Sequence, residues 1–428
     1  MRKTKPRRTA PAHVFPPAPS WPRDETALLT ETDVPLSLLL WQRARDARLW
    51  ALAGEGGRAD LFTGLEHVES AMEVADGVLE ALAAPLRTLC ALVRFPELVK
   101  AADLCAACLA ISEWAEAEHM PETALHYAEA AALVDPTSAR AAAVAGAACT
   151  AQAADQRAEV WLTRAIVTAR RTKAWEWHAR AYLRLGALYY ELGDMRKARR
   201  AHNRARASAS TSGHMTYAGN AHHNLLLVEC AAGTFRAGAQ HARMALELYP
   251  ARFAYLPHLA HDVAYLLTCH GAYADALALV DAALPFFSKP WERIAALGTV
   301  AKAAGGTGRR ERHSEAVADV LLLQSVAETH AACSMVLAAE GAALLGEQDR
   351  AQLLAARALG LAERRREREA QRRARHVLDR ADNRTKEPPP AEQVASLRAL
   401  FVNRLRERRA STGEPHTHVE LRQVTSAQ

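Results

Sequence analysis

Aromatic residues are scarce in this sequence, and long hydrophobic runs are missing. Trp, Tyr and Phe make up 6% of its 428 residues. No segment approaches the roughly 18 uncharged apolar residues that a membrane-spanning helix requires, and no stretch shows the strict alternation of a half-buried strand. We therefore expect neither membrane insertion nor a β-rich fold.

Alanine dominates what the sequence does contain. Half of the residues are hydrophobic, and alanine is the commonest of them. Alanine is the strongest helix former, and its small side chain lets neighbouring helices approach closely. The composition therefore predicts an all-α fold of closely packed helices.

Cysteine usage argues against a disulfide framework. The seven cysteines are an odd number and are spread over apolar helical positions. The basic N-terminus is followed by prolines, not by the apolar stretch and small-residue cleavage site of a signal peptide. Reduced thiols in a cytoplasmic protein are the expectation.

Sequence motifs of catalysis are missing as well. There is no G-x-S-x-G motif and no pair of carboxylates within an apolar run. The glycine-rich stretch 305–308 lacks the GK[ST] ending of a phosphate loop, and Cys105 and Cys108 lie inside an apolar helical run, which favours a core role. We predict no enzymatic activity, no catalytic residue, no cofactor and no bound metal.

The most informative stretch runs from Tyr182 to Ala205. It reads Tyr-x2-Leu-Gly-x2-Tyr from residue 182, then Gly-Asp at 193–194, and it has small residues at Ala198 and Ala205. This pattern resembles one tetratricopeptide repeat, a helix-turn-helix unit of about 34 residues. The resemblance implies a right-handed α-solenoid of stacked helix-turn-helix repeats with a concave binding groove.

The same template recurs between residues 105 and 362. Successive units start near residues 105, 139, 179, 219, 257, 291 and 332, at intervals of 34 to 41 residues. Because one helix pair cannot bury its apolar face alone, about seven consecutive units predict a stacked repeat solenoid over 105–362.

Composition divides the rest of the chain. Residues 1–24 hold six prolines and several basic residues, which predicts a disordered tail. Residues 25–104 predict divergent N-terminal helices. Residues 363–383 predict one charged Arg/Glu-rich helix, solvated or coiled-coil-like, and residues 384–428 predict a proline-containing linker, a short basic amphipathic helix over 394–406 and a polar tail. We expect that short helix to dock on the end of the solenoid or on a partner.

The resemblance also implies which side chains face the groove. In this family, positions 2, 5, 6, 9, 12 and 13 of each first helix do so. The polar residues that we assign to such positions are Arg140, Arg180, Arg184, Tyr190, Asn220, His223, Asn224, His258, His261 and Asp262. Asn can donate to and accept from a peptide backbone, and Arg binds carboxylates through two hydrogen bonds. We predict that this set holds a peptide or protein partner, and the arginines would favour an acidic one.

Two other interpretations of these residues stay open. The set could be solvated without binding anything. Alternatively, His222, His223, His258, His261 and Asp262 could surround a metal ion, because histidines three or four residues apart share a helix face. The metal hypothesis rests on near pairs alone, without an H-E-x-x-H motif or paired Cys-x-x-Cys motifs, so it ranks below peptide binding.

The formal net charge of +6 is concentrated near the ends of the chain. Basic runs at residues 2–8 and 364–375 offer contacts to nucleic acid. Glu363, Glu367 and Glu369 interleave with the second run and cancel much of its field. Nucleic acid therefore ranks below protein as a partner.

The resulting hypothesis is a non-enzymatic scaffold or adaptor that binds a peptide or protein in a concave groove. The alternative is a repeat-containing sensor of a transcriptional regulatory or signalling system that acts with a separate output protein. Residues 1–100 show no convincing output domain, which counts against the alternative.

Overall fold

The structure is a computed structural model that describes residues 27–58, 61–62, 80–250, 253–327, 330–365, 367–379 and 389–412. The predicted N-terminal tail over 1–24 and the polar tail after residue 412 lie outside the described residues. The described part forms two compact units, divided between Val134 and Asp135. It is helical throughout, without a strand, so the all-α prediction is confirmed. No described helix combines the length and hydropathy needed to cross a bilayer.

In its described part, the first unit contains a short 3-10 turn and four α-helices. Its helices are α1 (Val34–Gly57), α2 (Glu80–Arg94), α3 (Ala101–Ala117) and α4 (Pro121–Val134). The Tyr127 hydroxyl of α4 donates to the Leu40 carbonyl of α1 at 2.8 Å, and both residues are buried. Cys105 and Cys108 of α3 are buried free thiols, and burial raises the pKa of Cys108 well above its usual range.

The second unit is built from consecutive antiparallel helix pairs. The six pairs in its described part are α5 (Ala139–Ala151) with α6 (Asp155–Thr172), α7 (Trp175–Glu191) with α8 (Met195–Thr211), α9 (Met215–Ala232) with α10 (Phe235–Leu248), α11 (Leu256–Cys269) with α12 (Tyr273–Ala283), α13 (Pro290–Gly306) with α14 (Arg310–Leu323), and α15 (Ala331–Leu344) with α16 (Gln348–Arg365). Two further helices follow, α17 (Arg368–Leu378) and α18 (Ala391–Thr412). The pair α3 and α4 belongs to the first unit, so the division between the units falls after the first of the predicted repeats.

The Gly-Asp turn explains how one helix of a pair leads into the next. Gly193 has a φ of 78°, a left-handed conformation that glycine adopts without steric cost. Asp194 then caps α8, because its carboxylate accepts a hydrogen bond from the backbone N–H of Lys197 at 2.9 Å. The turn therefore reverses the chain and starts the second helix within a few residues.

The glycine within the first helix of a pair allows the second helix to pack closely against it. A methyl group on Gly186 would lie 2.4 Å from the His202 ring of α8. In the preceding pair, a methyl group on Gly146 would lie 2.6 Å from the Leu162 side chain. Only hydrogen fits at these positions without a shift of the partner, so the repeat signature has a direct packing cause.

Neighbouring first helices form a continuous layer. Each of the helices α5, α7, α9, α11 and α13 packs against the first helix of the next pair. The second helices instead pack on their own partners and on the following first helix. The tetratricopeptide resemblance implies that the first helices line the concave side of the stack, and we call the surface of their layer the inner face.

Helix α18 docks on the outer side of the stack, not at its end. Val394, Leu397, Phe401 and Leu405 are buried in the same core as α11 and α12, and α18 packs mainly on the second helix α12. Charged contacts flank this apolar seam, among them Arg398 with Asp275 at 2.9 Å. The amphipathic pattern predicted the buried side of the helix, but it could not identify the surface that covers it.

The charged segment after residue 362 is not one helix. α16 ends at Arg365 and α17 begins at Arg368, so the chain turns back between them. α17 packs on α16 and α15 and buries Ala370 and Ala374. The expectation of a solvated helix fails because small side chains every four residues give α17 a face that can pack.

Candidate functional site on the inner face

The inner face carries polar groups without internal partners on α7 and α9. Arg184 is exposed and makes no ion pair with a described residue, and the partly buried Asn224 amide makes no hydrogen bond to one. Both stand at position 6 of their units in the repeat template, on neighbouring first helices that pack on each other. These two residues are the open part of the predicted groove.

Arg180 lies one turn before Arg184 on α7, and its charge is partly used within the protein. Its guanidinium approaches the Glu176 carboxylate at 3.4 Å and lies 3.9 Å from the centre of the Trp177 ring. The Glu176 carboxylate also accepts a hydrogen bond from Tyr217 of α9 at 2.9 Å. About two fifths of the Arg180 side chain remains exposed, so it borders the open part without being free.

Tyr190 lies deeper on the inner face. Burial raises the pKa of its hydroxyl well above the ordinary range, and Cys230, Cys333 and Glu369 act on it electrostatically in the same direction. Cys230 belongs to α9, Cys333 to α15 and Glu369 to α17, so the groups that act on Tyr190 come from several helices of the stack. Tyr190 therefore forms part of the floor of the inner face.

The predicted polar residues on α9 and α11 bind one another. Asp262 accepts from His223 Nε2 at 2.7 Å and from His261 Nδ1 at 3.0 Å. His261 Nε2 lies 3.0 Å from the Thr299 hydroxyl of α13, which extends the network to a third first helix. Three of the residues predicted to hold a ligand are thus saturated by internal contacts.

His223 has a hydrogen-bonding partner at each of its two ring nitrogens. Tyr249 donates its hydroxyl proton to Asn220 Oδ1 at 2.9 Å, so the Tyr249 oxygen is left to accept from His223 Nδ1 at 3.1 Å. His223 Nε2 faces a carboxylate, which can only accept when it is ionised. His223 thus contacts a hydroxyl with one ring nitrogen and the Asp262 carboxylate with the other, and this second contact joins α9 to α11.

The pKa of Asp262 reflects this network. Burial would raise the pKa of the carboxyl, but hydrogen bonds from His223 and His261 and their charges lower it further than burial raises it. The pKa of Asp262 is therefore held below its usual range, and the carboxylate is ionised at neutral pH.

His258 and Arg140 lie at the margins of the predicted set. His258 Nε2 is 3.2 Å from Glu292 of α13, and its ring stacks on Trp291 with centroids 5.9 Å apart. Burial lowers the pKa of His258, although Glu292 opposes this shift. Arg140 is exposed in the first turn of α5, two pairs before α9.

The adjacent histidines His222 and His223 have different partners. His222 contacts His241 of α10 at 2.9 Å, within its own helix pair, whereas His223 contacts Asp262. In the described ranges, no group of three or more His, Cys, Asp or Glu side chains is arranged to hold a metal ion.

The prediction missed a buried charge cluster on the same face. Glu340 of α15 contacts Lys302 of α13 at 2.8 Å and receives a two-pronged hydrogen bond from Arg373 of α17, and Arg373 also donates to the Tyr265 hydroxyl of α11 at 2.8 Å. Tyr265 and Lys302 occupy positions 9 and 12 of their units, which the template assigns to the groove. Glu340 is the lone charge of an otherwise apolar helix, a signal that could have drawn attention to it.

The inner face therefore has two parts. From α11 to α17 its polar groups are paired across helices and mostly buried. At α7 and α9, Arg184 and Asn224 remain available to a ligand. The available part contains two of the ten predicted residues, with Arg180 at its edge and Tyr190 further along α7.

The network around Asp262 gives a stability prediction. Asp262→Asn removes the charge that two histidines share, and we expect the free energy of unfolding to fall by about 1.5–3 kcal/mol. Asp281→Asn is the matched control, because the Asp281 pair with Arg312 is considerably exposed, and a change below about 1 kcal/mol is expected there. Urea unfolding at pH 7 measures both, and equal losses would contradict the network's role.

Comparison with known proteins gives neither a family model nor a curated relative, and only distant structural similarity. The chain matches no protein-family model, and no curated protein is similar to it in sequence at a significant level. Among solved structures it is similar to pilF of Pseudomonas aeruginosa, with 17% identity, a TM-score of 0.40 and coverage of 53% of this chain and 93% of that one.

Two further solved structures share the helical architecture. A tetratricopeptide repeat protein from Parabacteroides merdae has 16% identity and a TM-score of 0.43, covering 63% of this chain and 98% of that one. The TPR domain of P58(IPK) has 14% identity and a TM-score of 0.21, covering 74% of this chain and 100% of that one. The last two of these similar structures are tetratricopeptide repeat proteins, and all three TM-scores lie below 0.5.

Proposed function

We propose that this protein is a non-enzymatic scaffold or adaptor that holds a peptide or protein partner on its inner face at α7 and α9. One observation carries the proposal. Arg184 and Asn224 occupy equivalent positions on adjacent first helices and have no ion pair or hydrogen bond within the described part of the chain, whereas Asp262, one pair further on, is saturated. Polar side chains without an intramolecular partner, next to a carboxylate that two histidines contact, fit a ligand site better than a packing role.

The chemistry of the pair indicates the kind of ligand. The Arg184 guanidinium can hold a carboxylate through two parallel hydrogen bonds, and the Asn224 amide can accept from and donate to one peptide unit. Tyr190, further along α7, supplies an aromatic surface for a side chain. The ligand that uses all three is an extended segment with an acidic residue.

The buried charge cluster limits the site on one side. Glu340 pairs with both Lys302 and Arg373, and all three side chains are only about a tenth exposed, so they offer little to a ligand. A bound segment would therefore contact α7 and α9. It could extend toward α5, where Arg140 is exposed. The sensor alternative would use the same surface, and nothing in the described residues favours it.

The experiment is a selection of random peptides displayed on phage against the whole protein. We expect the selected peptides to be enriched in Asp and Glu. Arg184→Glu should weaken their binding by about tenfold or more, because it replaces an attraction by a repulsion, and Asn224→Ala should weaken it to a smaller extent.

Arg357→Glu is the matched control for this selection. Arg357 is exposed on α16, a second helix on the outer side, so the same charge change there should leave the affinity unaltered. Selected peptides without acidic enrichment, or equal affinities of the Arg184 variant and the unaltered protein, would contradict the proposal.

A further inference from the structure

Helix α8 carries an excess of positive charge on the outer side of the stack, away from the proposed peptide site. Its basic residues are Arg196, Lys197, Arg199, Arg200, Arg204 and Arg206, and it contains no acidic residue. Like charges at helical spacing repel one another and destabilise the helix. Because this excess of positive charge destabilises the helix, we look for its role in binding a partner.

Three of these side chains form a straight row. Arg196, Arg200 and Arg204 are exposed and follow one another at intervals of four residues, so they lie on one face with about 6 Å of helix rise between them. Arg196 and Arg200 make no ion pair with a described residue, and Arg204 contacts only the neutral Tyr182 hydroxyl at 3.3 Å. We call these three residues the arginine row.

The end of α6 adds to the same positive surface. Arg170, Arg171 and Lys173 are exposed there. Helices α6 and α8 both pack on α7, and His178 of α7 lies 2.8 Å from the Ser208 hydroxyl of α8. The positive surface thus spans two consecutive second helices.

The arginine row lacks what a protein interface needs. The other exposed residues of α8 are Lys197, Ala207, Ser210 and Thr211, so the helix offers no large apolar side chain to a partner. The buried centre of a protein interface is apolar and depleted of charge. A partner bound here would be held by charge alone, as nucleic acid backbones are.

We propose that the arginine row and the adjoining end of α6 bind the sugar-phosphate backbone of nucleic acid without reading its sequence. Each arginine can hold one phosphate through two hydrogen bonds, and the regular step along α8 suits a regular row of phosphates. No aromatic residue is exposed on α8 to stack on a base, so the contact is electrostatic. The terminal basic runs are not required.

The test uses the whole protein and a fluorescein-labelled random-sequence DNA duplex of about 20 base pairs, in fluorescence anisotropy from 50 to 300 mM salt. We expect Arg196→Gln, Arg200→Gln and Arg204→Gln combined to weaken binding about tenfold or more at 50 mM salt. The slope of log K against log salt should become shallower by about 2–3, because roughly one counterion is released per phosphate contact.

The matched control removes three other positive charges, with Arg310→Gln, Arg372→Gln and Arg375→Gln. These side chains are exposed, but each already pairs with a carboxylate. The control should bind as the unaltered protein does, and the triple lysine variant of the arginine row should retain most of the affinity because it keeps the charge. Equal losses in both glutamine variants, no binding by the unaltered protein at 50 mM salt, or tighter binding of polyglutamate than of DNA would each overturn the proposal.

Discussion

Replacing Glu340 with glutamine is expected to lower the free energy of unfolding by about 3–5 kcal/mol, because two cations then lie buried without their counter-ion. Lys302 and Arg373 both contact this carboxylate at 2.8 Å, and the side chains of all three are only about a tenth exposed. Urea unfolding at pH 7 measures the loss. Arg373→Met should cost less than Glu340→Gln, since Lys302 then still neutralises the carboxylate.

The same residue predicts a pH dependence. Burial alone would raise the pKa of Glu340, but the charges of Arg373 and Lys302 outweigh it and hold the pKa at about 2, against an ordinary 4.5. A carboxyl whose pKa is lowered by folding stabilises the protein above its unfolded pKa, and this stabilisation is lost as pH falls from about 4.5 toward 2. The Glu340→Gln variant should lose less stability over that interval than the unaltered protein.

A control separates this cluster from ordinary surface charges. Glu363→Gln breaks the pair with Arg375, in which both side chains are more than half exposed, and should change the free energy of unfolding by less than about 1 kcal/mol. A loss below about 1 kcal/mol for Glu340→Gln as well would contradict the assigned role of the cluster.

Phe401→Ala is the second change with a large expected effect, about 3–5 kcal/mol of unfolding free energy. The Phe401 ring is completely buried between α18 and the stack, and its removal leaves a cavity in the seam. Urea unfolding gives the loss, and hydrogen exchange of α18 amides should become faster because this helix is the element that the ring holds.

The neighbouring residue provides the comparison for Phe401. Leu400 on the same helix is 38% exposed, so Leu400→Ala removes an apolar side chain without opening a comparable cavity. We expect a change below about 1 kcal/mol for it. Similar effects of the two substitutions would mean that α18 is not docked through the Phe401 face.

Local sequence signals were sufficient to predict the helix pairs. The Gly-Asp turn at 193–194 and the close approach at Gly186 each involve residues within one pair, so the template at Tyr182 to Ala205 contains the information that the fold uses. The paired helices of the second unit follow from it.

The inner face was predicted less completely, because its contacts depend on curvature. The template singled out His223 and His261 as groove residues, yet Asp262 pairs with both, which removes them as free ligand groups. Arg373 and Tyr265 are 108 residues apart and meet only because the stack curves. No pattern within a single repeat contains that contact.

The turn between α16 and α17 shows the same limit. The Arg/Glu pattern over 363–375 favours a helix locally, and it predicts nothing of the surface formed by α15 and α16. Ala370, Ala374 and Val377 become the buried side of α17 only because that surface exists.

The central claim is that a ligand binds the inner face at α7 and α9. Hydrogen–deuterium exchange of the whole protein with and without a peptide from the phage selection tests it most directly. We predict slower exchange in Trp175–Glu191 and Met215–Ala232 on peptide addition, and unchanged exchange in those helices for the Arg184→Glu variant. Slower exchange confined to second helices such as Met195–Thr211, or to Ala331–Leu344, would contradict the claim.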